Sequence, residues 1–577
     1  MSTVAIFGGG MAGLAAAHEL VQRGFTVTLY ESGGTADLGG KAASQFLAGT
    51  GTGGRRDLPG EHGFRFFPGF YRHVIATMFE IPGLSGYTNQ DLLPSDRAAI
   101  AFNGQPPVTF PRRLPVQPDD VLALVTAMYG NSGFATPQDT LLAAWYRLKY
   151  LTSGPARRLG VYESQTWSQY LELDTKPYST AFKKFERSIP RTMSAMVADV
   201  CSARTIGDIT MQMMLGYLRP LERPDQVLNG PTSVRWLEPW VQFLTPQLTF
   251  VTGTKLNQLV VVGSGSARHV DHAVVQQGGT TSSVTADYYV AALPLERMQD
   301  VVTASGIATF DPGIAGLMAL NISTATAWMV GAQYFLLTDV PVTAGHVFYP
   351  DSAWGLTSIS QAQFWNQSGA TVDQLYGDGT VRGVLSVDIA DWDMVSPRTG
   401  TDAKHAGSAA AVLNEVFLQL QDALGAGVLA AANVAHQHLD THVDFSGAVA
   451  VNQTPLLVHP AGSWANRPEA RLTNIDNLFL ASDYVRTSTQ LATMEGANEA
   501  ARRAVNGILD AAGSSEPECV LWPLTEEVFG AARALDDQRY AQGLPHIMDD
   551  TDAAEMVATT IAFLQARLMT DPFSLLT

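Results

Sequence analysis

The residues with the clearest chemical purpose are Gly8, Gly10, Gly13 and Glu31. The glycines follow the apolar run Val4 to Phe7 and open a stretch in which Leu14, Ala17, Leu20 and Val21 recur at helical spacing. Gly8 permits a tight turn, Gly10 lets backbone approach a pyrophosphate, and Gly13 lets the helix pack close to the sheet. The helix then presents free N–H groups and its positive dipole end to phosphate. Glu31 closes the next apolar run, Thr26 to Tyr30, about twenty residues on, where a carboxylate takes ribose hydroxyls. The pattern describes a dinucleotide site and leaves the choice of dinucleotide open.

Two further segments carry reactive groups. Gly39-Gly40-Lys41 brings backbone amides and a cation toward the same diphosphate. The run from Gly60 to Arg72 mixes glycines, aromatics and titratable groups, as a loop against a flat ring system would. Within it His62 can exchange a proton near neutrality and Arg65 can hold an anion, so both are candidate catalytic residues. His436, His438 and His442 invite a metal reading, but a solvated histidine cluster explains them better and no metal site is expected. Serine-hydrolase and zincin motifs are absent from the sequence.

The elements that must position these groups read as α/β. From Pro111 to Leu244 the chain turns helical and aromatic, with apolar spacing in 121–129, 140–150, 167–173, 182–189 and 210–218, and a cluster of methionines. Pro246 to Pro294 reads as a small meander feeding the strand Ala286-Asp287-Tyr288-Tyr289-Val290-Ala291-Ala292-Leu293-Pro294 back into the parent sheet. Runs at 326–337, 345–349, 356–360 and 381–389 predict a second, antiparallel sheet, followed by a helix over 406–424. Asn477-Leu478-Phe479-Leu480-Ala481-Ser482-Asp483-Tyr484 is another buried strand ending in an acid, and a helix opens at Thr493-Met494-Glu495. The tail predicts helices over 525–535 and 553–568; the second has one basic residue, Arg567, which favours docking or dimer formation over a membrane surface.

Composition narrows the partners. A formal charge of -18 over 577 residues argues against nucleic acid. Cys201 and Cys519 stand alone, so neither a disulfide framework nor a zinc motif is expected, and a reducing, cytoplasmic setting fits. No run reaches the twenty or so apolar residues of a membrane span, and the N-terminus enters the glycine fingerprint without a leader-like segment.

Taken together, the GGGMAG fingerprint with Glu31, the Gly39-Gly40-Lys41 turn, the ADYYVAALP strand, and NLFLASDY followed by TMEGANEAARRA resemble the FAD-dependent amine oxidase and phytoene desaturase superfamily. The resemblance implies a Rossmann-like FAD domain of the glutathione-reductase type, in segments 1–110, 245–315 and 450–513. An α+β substrate domain with a mixed or antiparallel sheet would occupy 111–244 and 316–449, and 514–577 would be a helical tail. It also implies that Met11 and Ala12 offer backbone to the pyrophosphate and that Lys41 stands where the family has Arg. Glu61, His62, Gly63 and Phe64 would pass near the isoalloxazine, and Leu256 would meet adenine with its backbone. Asp483 would lie toward the phosphate and ribityl region, with Thr493, Met494 and Glu495 under the flavin. Ser482 departs from the usual Gly, and no cysteine lies in a flavin-attaching motif, so FAD is expected to be non-covalent.

The expected chemistry is hydride removal from an apolar substrate, of which isoprenoids and polyenes are examples, with flavin N5 as acceptor. One rival is an amine or amino-acid oxidase, for which Trp328, Tyr334, Trp354 and Trp365 could supply an aromatic pair. The other is a flavoprotein using FAD structurally or for isomerisation.

Overall fold

The computed structural model describes residues 2–549 apart from 85, 114–116, 118, 121–134, 217–224, 525 and 527. The helices expected over 121–129 and 553–568 lie outside the described residues.

The opening apolar run forms the centre of a parallel sheet. Strands Thr249–Val251, Thr26–Tyr30, Thr3–Phe7, Tyr288–Ala291 and Leu478–Leu480 stand side by side in that order. Strands buried on both faces need apolar residues throughout, which is why Val4 to Phe7 and Leu478 to Leu480 show no alternation. The helices Met11–Gln22 and Met494–Ala511 pack against each other and the sheet. Small residues make that possible: Ala12, Gly13, Ala15, Ala16 and Ala17 are all buried. The antiparallel meander Thr254–Val262, His269–Gln277 and Thr280–Val284 precedes the returning strand Tyr288–Ala291, as its sequence suggested.

A second sheet has seven strands, in the order Val108–Pro111, Arg97–Ile100, Gly345–Phe348, Leu356–Ser360, Gly383–Ile389, Val330–Leu336, Val434–Leu439. It is mixed, where the strand runs alone suggested an antiparallel one, because Arg97–Ile100 and Gly345–Phe348 pair in parallel. Arg97–Ile100 lies inside segment 1–110 and Val108–Pro111 straddles its end, yet both hydrogen-bond into this sheet and not the parallel one. Helices Pro137–Thr152, Thr180–Ser194 and Ala203–Leu215 complete the second unit.

In the tail the helix is Gly530–Ala541, starting later than expected because Phe529 turns left-handed at φ 59° and sets the first turn. It docks on the body: Arg157 Nε reaches Asp536 at 2.9 Å, Arg158 reaches Glu526 at 2.5 Å, and Lys149 reaches Asp549 at 2.6 Å. No helix among the described residues is long and apolar enough to cross a membrane.

Candidate active site

A cavity of about 1890 Å³ runs from the glycine turn of the parallel sheet to the second sheet and the helices. Drug-sized ligands occupy roughly 300–1,000 Å³, so the space admits more than one such molecule. Gly8, Gly10, Met11, Ala12, Glu31, Gly40, Lys41, His62, Gly63, Phe64, Arg65, Asp483, Thr493 and Met494 all line it.

The turn is built as its residue types require. Gly8 has φ +104°, and a Cβ there would lie 2.3 Å from the Ala292 carbonyl oxygen. Gly13 does not reach the cavity; its Cα packs on the turn, where a Cβ would lie 1.8 Å from the Gly8 oxygen. A Cβ on Gly10, by contrast, would meet nothing within 4 Å. No side chain caps the helix beginning at Met11, so its first N–H groups remain open toward the cavity. Glu31 accepts from the Gly9 N–H at 2.7 Å and the Gly33 N–H at 2.8 Å, which fixes its carboxylate at the cavity edge. Lys41 Nζ donates to the Pro455 carbonyl, and Arg65 Nη2 donates to the Lys41 carbonyl. At the other helix start, Thr493 Oγ1 accepts from the Gly496 N–H at 3.1 Å.

Other expected site residues turn away. Glu495 points into the protein, accepting from the backbone N–H groups of Arg72, His73 and Val74 at 2.7, 2.9 and 2.9 Å and pairing with His73 Nδ1 at 2.7 Å. It caps the helix His73–Met78 and does not line the cavity. Glu61 is also buried behind the wall, its Oε1 accepting from Ser44 Oγ at 2.8 Å and the Thr232 N–H at 2.9 Å. Burial raises its pKa above the usual carboxyl range. Leu256, expected to offer only its backbone, sits in the meander opposite Val275 with its side chain in the core, and it is not among the residues lining the cavity. The proposed aromatic pair does not form at the cavity either. Trp328 packs at a tilt against Trp392, Tyr334 donates to the Leu413 carbonyl, Trp354 donates to the Met394 carbonyl, and Trp365 packs near Tyr376.

The structure adds groups that the sequence did not single out. His62 Nδ1 pairs with Asp440, whose other oxygen takes His442 Nδ1 at 2.8 Å and Gln45 Nε2 at 2.7 Å. These partners hold the Asp440 carboxyl far below its ordinary range against the cost of burial. Burial lowers the His62 pKa, and Asp440 opposes it. Asp388, from Gly383–Ile389, lines the same wall, and burial pushes its carboxyl up to about 7. His346 is packed among Phe64, Phe66 and Phe348, and burial lowers it to about 3. Burial likewise lowers His438 to about 4, and its Nε2 lies 3.1 Å from Gln45 Oε1, in a polar network and not a metal set. The signals were present as single acids inside apolar runs, Asp388 in Val384 to Ala390 and Asp440 after Leu439, but nothing local said which wall they would reach.

The model of the flavin-containing amine oxidoreductases matches residues 11–509. The chain belongs to that family. It is accordingly an FAD-dependent oxidoreductase, and the turn described above fits that nucleotide: open helix N–H groups, an open approach at Gly10 and a fixed carboxylate at Glu31. Neither cysteine lines the cavity. Among solved structures the fold resembles cyclohexylamine oxidase from Brevibacterium oxydans IH-35A (TM-score 0.57, 14% identity, 89% of this chain and 99% of that one). It also resembles putrescine oxidase bound to putrescine (TM-score 0.57, 13% identity, 88% and 99%). A third likeness is an oxidoreductase from Methanosarcina mazei (TM-score 0.54, 11% identity, 88% and 100%). No curated protein matches the sequence.

Proposed function

We propose that this flavoenzyme dehydrogenates a largely apolar small molecule. The observation that carries the reading is the lining supplied by the helices and the second sheet: Phe110, Phe185, Ile189, Met193, Met213 and Phe348. Methionine adapts to irregular apolar shapes, and apolar side chains packed around a substrate exclude water from the reacting centre.

In this reading Gly8, Gly10, Met11, Ala12, Gly40 and Lys41 hold the diphosphate and Glu31 holds the ribose. Asp483, Thr493 and Met494 hold the ribityl and ring side, while Gly13, Glu61 and Glu495 support these elements from behind. When bound, FAD supplies the hydride acceptor, N5. The side chains do the rest: the aromatic and methionine walls orient the substrate, and His62, fixed by Asp440, is available to hold a proton. The cofactor-binding unit takes 1–96, with 245–315 and 450–513; the strands at 97–100 and 108–111 go with the substrate-binding unit.

Amine oxidation is the second reading, and the two named amine oxidases of similar fold favour it. The packing of Trp328, Tyr334, Trp354 and Trp365 away from the cavity weighs against it. Anaerobic mixing of the purified holoenzyme with long-chain isoprenoids should bleach the flavin, whereas bleaching by amines alone, with substrate-dependent oxygen uptake in air, would overturn the proposal.

A further inference from the structure

Two buried atoms of cavity-lining residues, His62 Nε2 and Asp388 Oδ1, have no hydrogen-bond partner in the protein, as is also true of Arg65 Nε, Ser194 Oγ, Thr210 Oγ1 and His346 Nε2; His62 and Asp388 are 5% and 7% exposed. They are neighbours in the fold. A Cβ on Gly63, the residue after His62, would lie 2.7 Å from Asp388 Oδ1. Gly331 backs both: its N–H donates to the His62 carbonyl at 2.6 Å, and it stands opposite Asp388 in the strand register. An unsatisfied buried polar atom costs about 1–3 kcal/mol, so two on adjoining residues of the lining mark a place where a ligand supplies the partners.

Their hydrogen-bonding roles are opposite. The ionised Asp440 takes the Nδ1 side of His62, which puts the proton of the neutral ring on Nδ1 and leaves Nε2 an acceptor. Arg65 and Lys41 also disfavour the charged ring. Asp388 faces Arg65 and the Phe64 N–H, yet burial outweighs both and keeps the proton on a large share of the carboxyls near neutral pH. Glu61, next in the chain, spends Oε1 on Ser44 and Thr232, and its unpartnered Oε2 belongs to a residue outside the cavity lining, while His442 is spent on Asp440. Environments that drive two titratable groups apart in this way assign one as acceptor and one as donor.

The geometry points to a subsite for a hydroxyl group on the otherwise apolar substrate: its O–H donates to His62 Nε2, and its oxygen accepts from the carboxyl of Asp388. The inference rests on the apolar-substrate reading above and adds one polar function to it. A site built to bond a hydroxyl rejects the analogue lacking it, because its own polar groups are then left unpaired.

Farnesol and its hydrocarbon counterpart farnesene, delivered in the same detergent micelles, test this by calorimetric titration of the holoenzyme. Farnesol should bind at least tenfold more tightly than farnesene. His62→Gln and Asp388→Asn should each weaken farnesol about tenfold and leave farnesene binding and the FAD spectrum unchanged. The wild-type comparison decides even if a variant fails to fold. Equal affinity for alcohol and hydrocarbon, or variants that weaken both alike, would overturn the subsite and leave the apolar reading standing. Variants that shift the FAD spectrum or its dissociation constant without altering alcohol discrimination would also overturn it, since the two atoms would then serve the cofactor. Binding of neither probe, with reduction by an amine, would remove the apolar reading itself and the subsite with it.

Discussion

Asp388 shows how a single buried carboxyl couples the site to stability. Its folded pKa of about 7 lies above its ordinary 3.8, so between those values the native protein holds a proton that the unfolded chain releases. Stability from this group therefore falls as pH rises through that window. Asp388→Asn removes the penalty, and the variant should gain on wild type as pH increases, by up to roughly 4 kcal/mol at pH 8 and by almost nothing at pH 4. Thermal melts across that range read the effect. A constant offset at every pH would show that the carboxyl is not protonated in the fold. His62 differs because Asp440 compensates it: the imidazole is buried, yet one nitrogen is tied to a carboxylate that three groups keep ionised.

At the scale of elements, the glycine turn separates two functions that look alike in the sequence. Gly13 is pressed on the Gly8 oxygen, so a methyl group there must displace backbone; Gly13→Ala should yield little soluble protein, or protein that keeps no FAD. Gly10 has φ -72°, which any residue adopts, and open space around its Cβ position. Gly10→Ala should leave the melting of the apoprotein within about 0.5 kcal/mol of wild type while weakening FAD about tenfold, read by flavin fluorescence quenching. Equal FAD affinity would mean that the nucleotide does not pass Gly10. The helix His73–Met78 offers a different case, because its cap comes from Glu495, far away in sequence. Glu495→Ala strands three backbone donors in the interior and should cost about 3 kcal/mol or more, at 1–3 kcal/mol each, with denaturant unfolding as the measure. A loss under 1 kcal/mol would show that water reaches those groups.

The whole molecule is tied across its length by charges buried at the seams. Arg502 reaches Glu19 at 2.8 Å between the last and first helices of the parallel unit. Arg157 and Arg158, both nearly buried, depend on Asp536 and Glu526 of the tail. Deleting 514–577 would leave the Arg157 guanidinium without its carboxylate and Arg158 with Asp208 alone, and each broken buried pair costs about 3–5 kcal/mol. The truncated protein should melt well below the full chain or fail to stay in solution. Unchanged melting, solubility and activity would show the docked tail to be dispensable.

What could be read from the chain alone was whatever the local pattern dictates. Turn glycines beside a strand, the period of the first helix, the meander and the acids Glu31 and Asp483 after two of the strands are short-range facts, since backbone sterics and side-chain periodicity act over a few residues. His62 was visible in the same way, as a titratable group in a glycine-rich loop. Its partner Asp440 lies 378 positions away, and no local rule links them. The same holds for Asp388 beside Gly63 and for Glu495 turning from the expected ligand to a helix cap. The parallel pairing of Arg97–Ile100 with Gly345–Phe348 likewise depends on which distant strand closes the sheet. Folding alone decided these, because burial and charge compensation are properties of the surroundings a residue finds, and those surroundings exist only once the remote segments have packed.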